Sequence, residues 1–491
     1  MNISTSSQHY GLNFDNSYLS LPDVFYKAQD PAIVSNPKVE LLNESLAKSL
    51  GLNVTLLKSH GAQYLVGNTM FEGSKPIAQA YAGHQFGGFN MLGDGRAILL
   101  GEHITPDKVR VDFQLKGAGR TPYSRSGDGR AALAPMLREY IISEAMHALG
   151  VPTTRSLAVT STGEKVYREQ GLKGAVLTRI AASHLRVGTF QFAAALQDVT
   201  QLKALADYTI LRHFPAILDA ENTYIALLNA VIVLQANLVA KWMQLGFIHG
   251  VMNTDNMSIC GETIDYGPCA FMNAYHADTV FSSIDANGRY AFANQPNIAH
   301  WNLTRFAEAL LPLFHESQEQ GIEIAKACLD AFPQLFFSSW LAGMRKKLGL
   351  FNEETEDAQL VDDLLMYMQK NKADFTNTFV ALSHDNIVEG ALFQDAGFLN
   401  WYALWQARRT RQTEDTNQQL ALMHANNPKI IPRNHLVEEA LTAAEESGDM
   451  RLVHALLNAV ENPYGECNAD EKYSQPPSAS FDQRYKTFCG T

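Results

Sequence analysis

The chain has 491 residues, 46% of them hydrophobic and 18% charged, with a net charge of −12 and a pI near 5.7. That length supports a large core with two or three subdomains, and the composition is that of an ordinary globular protein rather than a fibrous or disordered one. An acidic balance lacks the basic surface expected of a protein that wraps nucleic acid, so nucleic acid is not an expected partner.

The first residues show neither a basic n-region nor an apolar h-region, so a secretory signal is not expected. Residues 1–60 read as an extended lead-in followed by a short helix, "NPKVELLNESLAKSLGL", ending at Gly51. From about 77 to 180, strands alternate with glycine turns and one strong helix. "RAILLGE" from Arg96 is a strand candidate. "VRVDFQLK" alternates, with Val109, Val111, Phe113 and Leu115 on one face and Arg110, Asp112, Gln114 and Lys116 on the other. "GAGRTPYSRSGDGR" is too rich in Gly, Ser and Pro to be regular. A helix is expected over 131–149, where Leu133, Leu137, Ile141, Ala145 and Leu149 recur at four-residue spacing before Gly150 and Pro152. "EKVYRE" and "GAVLTRI" suggest two further strands.

After 185 the pattern is mostly helical, with helices expected near 190–215, 222–245, 303–311, 317–331, 354–371, 375–383 and a pair near 434–460. The stretch 224–245 is the most apolar, but Asn229, Gln235, Asn237 and Lys241 interrupt it, so a buried helix is expected rather than a membrane span. Five cysteines without a CxxC pair argue against a disulfide scaffold or a thiolate zinc site and fit a reducing compartment. The expected protein is therefore cytoplasmic, monomeric and without a membrane partner.

Phosphate-handling sites need glycine turns that expose backbone N–H groups, basic side chains, and hard oxygen ligands for Mg²⁺. "LGDGRAILLGE" puts Gly93, Gly95 and Arg96 in a tight turn before a strand, a pattern that also suits a plain hairpin. Lys116 ends the next strand on its polar face, and Glu139 lies in the following helix. Kinases pair such a lysine and glutamate, although surface residues read the same way. "SGDGR" brings Asp128 and Gly129 to a helix N-terminus, as nucleotide contacts or as a capping turn. Arg179 and Arg186 bracket "IAASHL" and could clamp a terminal phosphate, or be solvated; His184 between them reads as structural.

The densest stretch is "FIHGVMNTDNMSICGETIDYGP". Kinases carry H-R-D-x-x-x-x-N and then D-F-G. Here His249 and Asn256 keep that spacing, Val251 stands where the usual base would be, Asp255 precedes the Asn, and Asp265-Tyr266-Gly267 replaces D-F-G. Asn256 and Asp265 offer oxygen ligands suited to Mg²⁺ or Mn²⁺.

The strings "YAGHQFGGFNMLGDGRAILLGE", "QLKGAGRTPYSRSGDGRA", "REYIISEAMHALGVPTTRSLA", "GAVLTRIAASHLRVGTF" and "HGVMNTDNMSICGETIDYGPCAF" resemble the selenoprotein O (YdiU) family, over about 14–464. The resemblance implies an α+β, bilobal protein-kinase-like fold. It would comprise an extension over 1–76, a strand-rich N-lobe over 77–184, a mostly helical C-lobe over 185–414, and a C-terminal helical extension and tail over 415–491. It also implies transfer of AMP from ATP, or of UMP from UTP, onto Ser, Thr or Tyr hydroxyls of proteins, with release of pyrophosphate and with the nucleotide bound in a flipped orientation. On this resemblance Gly93, Gly95, Arg96, Lys116, Asp128, Gly129, Arg179, Arg186 and Asp265 bind nucleotide. Asn256 and Asp265 bind the metal, Glu139 pairs with Lys116, and Asp255 is the proton acceptor. Some members tether an activation-segment cysteine to a C-terminal one, and the counterpart here would be Cys269 with Cys489, although "DTVFSSID" lacks the matching residue. The competing expectations are an ATP-dependent phosphotransferase, disfavoured by Val251, and a nucleotide-binding scaffold without turnover, disfavoured by Asn256 and Asp265.

Overall fold

The computed structural model describes residues 9–384, 391–464 and 471–488. It is a mixed α+β structure with a sheet-rich N-terminal part and a helical C-terminal part. The strands are β1 (Tyr26–Ala28), β2 (Lys38–Leu42), β3 (Ile77–Gln79), β4 (Ala82–Gln85), β5 (Gly88–Met91), β6 (Ala97–Ile104), β7 (Arg110–Lys116), β8 (Ala131–Ala132), β9 (Arg155–Tyr167), β10 (Gly171–Ala181), β11 (Phe247–Ile248) and β12 (Ala270–Phe271). The main sheet runs in the order β1-β3-β6-β7-β10-β9-β2, with β8 against β10; β4 pairs with β5 and β11 with β12 separately.

The stretch expected as one helix over 36–51 divides into two elements. β2 pairs antiparallel with β9 at the sheet edge, and a register shift between Val39 and Leu41 sends Leu41 into one core cluster and Val39 and Leu42 into another. Asn43 then stops the strand: its side chain accepts from the Leu46 N–H at 3.0 Å and caps the helix Glu44–Ser49. The residues before 77 thus supply β1 and β2, the two ends of the main sheet.

The helix expected over 131–149 is Leu133–Ala148, with Pro135 in its first turn, where its missing N–H costs no helical bond. Leu137, Ile141 and Ala145 are fully buried. It packs on β9 and β10 on one side and on the helices Asn434–Ser447 and Arg451–Val460 on the other. The helix expected over 190–215 is two, Val187–Ala195 and Val199–His213; Gln197 turns left-handed (φ 56°) and Asp198 caps the second. The sequence reading missed Phe332–Lys347, Ala396–Arg409 and Thr416–Asn426.

The apolar stretch 224–245 forms the helix Thr223–Leu245, the one described helix long and apolar enough to cross a membrane by length and composition. It packs against Gln295–Phe314 and Phe332–Lys347. One of its polar interruptions, Gln235, has a structural use, as does Trp242. Gln235 donates to the Ser258 carbonyl at 2.6 Å, and Trp242 donates to the Thr263 hydroxyl at 2.9 Å, so this helix supports the loop that follows it.

The polar face of "VRVDFQLK" does not face water: Asp112, Gln114 and Lys116 are as buried as Phe113 and Leu115. Each has a charged or polar partner, as burial demands. Asp112 accepts from Arg212 at 2.6 Å and from His184 Nδ1 at 2.7 Å. Arg212, on Val199–His213, also donates to Glu102 on β6 and to the Ala182 carbonyl. Burial holds His184 neutral, pushing its pKa down to about 4, which accords with a structural histidine. Arg212 therefore joins β6, β7 and a helix through two buried carboxylates. Replacing it by methionine strands those carboxylates: Arg212→Met is expected to lower the free energy of unfolding by about 3–5 kcal/mol in urea denaturation.

Candidate active site

β7 and β10 are neighbours in register, with Arg179 opposite Gln114 and Leu177 opposite Lys116. Their period of two sends Gln114, Lys116 and Arg179 to the same face. The helix Leu133–Ala148 places Glu139 against them. Lys116 Nζ donates to Glu139 Oε2 at 2.5 Å, and Arg179 donates to Glu139 Oε1 at 3.2 Å and to the Gln114 side-chain oxygen at 2.6 Å. The expected lysine–glutamate pair is present and buried, not solvated.

The loop carrying the remaining groups is closed at its base. The helix Thr223–Leu245 ends on Gly246 in the left-handed region (φ 69°), and β11 then pairs with β12, pinching residues 249–269 between them. His249 is fully buried, and its Nε2 meets the Ile264 carbonyl at 2.9 Å. It staples the two arms of the loop rather than facing ligand. A short 3-10 turn, Thr254–Asn256, presents Asp255 and Asn256.

Asp265 stands at the centre. It is the one residue of its loop other than glycine at positive φ (63°), a backbone state that surrounding structure must impose. Its Oδ1 accepts from Lys116 at 2.7 Å and from Arg179 at 2.8 Å, and its Oδ2 accepts from Arg186 at 3.0 Å. Burial opposes its charge, yet the three cations hold its carboxyl well below the usual carboxylate range. Arg186 also donates to the Asp255 carbonyl at 2.8 Å and lies over the Tyr81 ring at 4.6 Å.

Asp255 is buried, and its Oδ1 has no hydrogen-bond partner. Burial raises its pKa to about 6, against the pull of Arg186. Gly83 on β4 makes room for it: a Cβ there would lie 2.4 Å from Asp255 Oδ1. Asn256 donates its amide nitrogen to the Val251 carbonyl at 3.0 Å, which leaves its side-chain oxygen available as a ligand.

These groups line one cavity of about 360 Å³, bounded by Gly95, Arg96, Lys116, Glu139, Arg179, Arg186, Asp255, Asn256 and Asp265 among others. Gly93, Asp128 and Gly129 lie outside this lining. Gly93 accommodates the Tyr123 ring, which a Cβ would meet at 2.4 Å, and Gly129 abuts the Gly119 carbonyl. Asp128 pairs with Arg168 at 2.9 Å and caps the Arg130 N–H. Cys269 is buried; Cys489 lies outside the described residues.

Sequence reasoning passed over Asp94, Tyr81 and Gln114. Asp94 lines the cavity, is buried, and has its pKa raised to about 6 by burial against the pull of Arg186. It sits within "GDGR", between the glycines that drew the attention. Gln114 was readable as the residue two before Lys116 on the same strand face.

A buried cluster of cations beside carboxylate and amide oxygens is an arrangement that suits a phosphate-using enzyme, a transferase among them. The model of the family described as "Protein adenylyltransferase SelO" matches residues 8–461, and the chain belongs to that family. Similar proteins include the protein nucleotidyltransferase YdiU of Brevibacillus brevis, 59% identical over 482 residues (98% of each chain). The protein of the same name from Bacillus cytotoxicus is 58% identical over the full length of both chains. That of Anoxybacillus flavithermus is 58% identical, over 98% of this chain and 99% of the relative.

The contact between Gly83 and Asp255 yields a test that leaves the nucleotide ligands untouched. Gly83→Ala forces Asp255 to shift, and misplacement of a reacting group by about 1 Å costs on the order of 10²-fold in rate. Turnover is expected to fall by that order while nucleotide affinity, measured by calorimetry, changes little.

Proposed function

We propose that this chain is an enzyme that transfers a nucleoside monophosphate from a nucleoside triphosphate, ATP, onto proteins. The observation that carries this reading is the convergence of Lys116, Arg179 and Arg186 beside Asp255 and Asn256 in one cavity, in a chain nearly 60% identical to proteins named protein nucleotidyltransferases. We infer further that the fold is kinase-like and bilobal. The strand lysine paired with a helix glutamate, and the Asn-then-Asp order in the loop, support that inference.

The acceptors are serine, threonine or tyrosine hydroxyls, and UTP is the alternative donor. The hydroxyl oxygen attacks the α-phosphorus, the α–β bridging bond breaks, and pyrophosphate leaves with that electron pair. Asp255 takes the hydroxyl proton. Its raised pKa keeps it basic enough for that role while ionised near neutrality. Lys116, Arg179 and Arg186 hold the departing phosphates, where preorganised cations stabilise the charge that develops on the leaving group. Arg96 and Gly95 contribute a guanidinium and a close backbone approach at the same wall. Gly93, Asp128 and Gly129 support binding from outside the cavity by shaping their turns.

The oxygens of Asn256 and Asp265 fit a hard divalent cation, Mg²⁺ or Mn²⁺. No group of three or more His, Cys, Asp or Glu gathers as a metal site among the described residues, so phosphate and water oxygens would complete the shell. Such an ion supplies charge neutralisation at the reacting phosphate. We place the enzyme in the cytoplasm as a monomer that engages neither membrane nor nucleic acid; the acidic net charge and a cysteine spacing without CxxC support this.

The phosphotransferase alternative wants a carboxylate where buried Val251 stands. ATP labelled at the α or the γ position separates the two: label from α is expected on protein, and label from γ alone would overturn the proposal. Asp255→Asn is expected to slow transfer by about 10²–10⁴-fold with nucleotide binding retained. Asp265→Ala, or removal of divalent ions by chelation, is expected to abolish it.

A further inference from the structure

The β4–β5 hairpin stands apart from the main sheet, and its two edges differ. The inner strand is fastened to the catalytic loop. The His84 N–H donates to the Thr254 hydroxyl at 2.8 Å, the Phe86 N–H donates to Asn253 Oδ1 at 3.1 Å, and Gly83 packs on Asp255. The outer strand, β5, pairs only with β4 among the described residues. All four of its residues are exposed, Phe89 at 46% and Met91 at 51%.

The turn explains how this edge is set. Gln85 faces Gly88, and Phe86 and Gly87 between them both have positive φ (51° and 89°), as a two-residue type I′ turn requires. Asn and Gly favour such positions; a phenylalanine there is disfavoured, and an imposed conformation of this kind points to use. Phe86 lines the catalytic cavity while remaining 40% exposed, and Ile284, 56% exposed, lines it too. With Gln85 and Gly88 closing the turn as a hydrogen-bonded pair, antiparallel alternation turns the backbone N–H and C=O of Phe89 and Met91 away from β4. Natural edge strands are shielded by charge, proline or a covering element; "GFNM" has no charge and no proline.

We propose that the outer edge of β5 receives the protein substrate as an added third strand, with Phe89 and Met91 packing against apolar side chains at alternate positions of that segment. The inference rests on the proposed transfer to proteins and names the chemistry of the substrate segment: extended, apolar at every second residue, with the acceptor hydroxyl beyond the Phe86 turn. Added strands lie about 4.8 Å apart, so the segment runs beside the hairpin that covers Asp255 and reaches the cavity at Phe86. Main-chain bonds supply affinity, and the alternate pockets supply selection.

The test uses the full chain with ATP, a divalent cation and two synthetic peptides. Each carries one tyrosine preceded by valines at alternate positions; in the second peptide the backbone amides that would pair are N-methylated. Phe89→Ser/Met91→Ser alters neither the cavity lining nor the buried core. The double variant is expected to raise KM for the first peptide at least tenfold, with kcat, pyrophosphate release to water and thermal unfolding unchanged. N-methylation is expected to raise KM for the wild-type chain in the same way. Unchanged KM in both comparisons overturns the proposal, as does an equal loss of pyrophosphate release, which would place the hairpin in nucleotide chemistry. Loss of self-association or of vesicle binding in the variant, with peptide KM unchanged, would give this edge to a second copy or a lipid surface instead. Wild-type label transfer with unchanged variant KM removes this surface alone; absence of α-label on any peptide or protein with the wild-type chain removes the transfer reading together with it.

Discussion

Three cations from two neighbouring strands and the loop after them close on a single carboxylate, and the site is organised around that contact. Lys116 and Arg179 arrive on β7 and β10, Arg186 follows at the start of the helix Val187–Ala195, and Asp265 comes from the loop between β11 and β12. Buried ions need compensation within hydrogen-bond reach. Three cations meet Glu139 and Asp265 directly, while Asp94 and Asp255 also face Arg186. Cations gathered in this way suit an anionic ligand such as a phosphate.

The same contact explains the demands placed elsewhere. Asp265 must sit at positive φ, so the loop around it is held at several points: β11–β12 at the base, His249 across the arms, and Gln235 and Trp242 from the helix beneath. Gln235 and Trp242 are where the packing of that helix meets the loop. Asp255 depends on a different constraint, space, which Gly83 provides from a hairpin far away in sequence. That hairpin covers Asp255 with one strand and leaves the other strand open.

Local pattern made much of the architecture legible. Four-residue spacing gave the helix Leu133–Ala148, and alternation gave β7, because each element buries one periodic face. The spacing of His249, Asn256 and Asp265 marked the loop, since turn geometry fixes how far apart such groups stand. Alternation left one thing open: it put Asp112, Gln114 and Lys116 on a polar face without saying what covers that face. Period two says only that a strand has two faces, and here both are covered. The short stretch 36–51 misled, because pairing with β9, remote in sequence, overrode its helical tendency.

The sequence by itself determined the periodic elements, the order of the candidate site residues and the kinship of the chain, because these depend on neighbours within a turn or two and on residue identity. The tertiary structure alone decided which candidates meet. It drew Gly95, Arg96, Lys116, Arg179, Arg186, Asp255, Asn256 and Asp265 into one cavity, added Asp94 and Tyr81 to its lining and Gln114 behind Arg179, and left Gly93, Asp128 and Gly129 in the surrounding turns. Contact between segments more than a hundred residues apart follows from sheet register and helix packing across the whole chain, which no local pattern encodes.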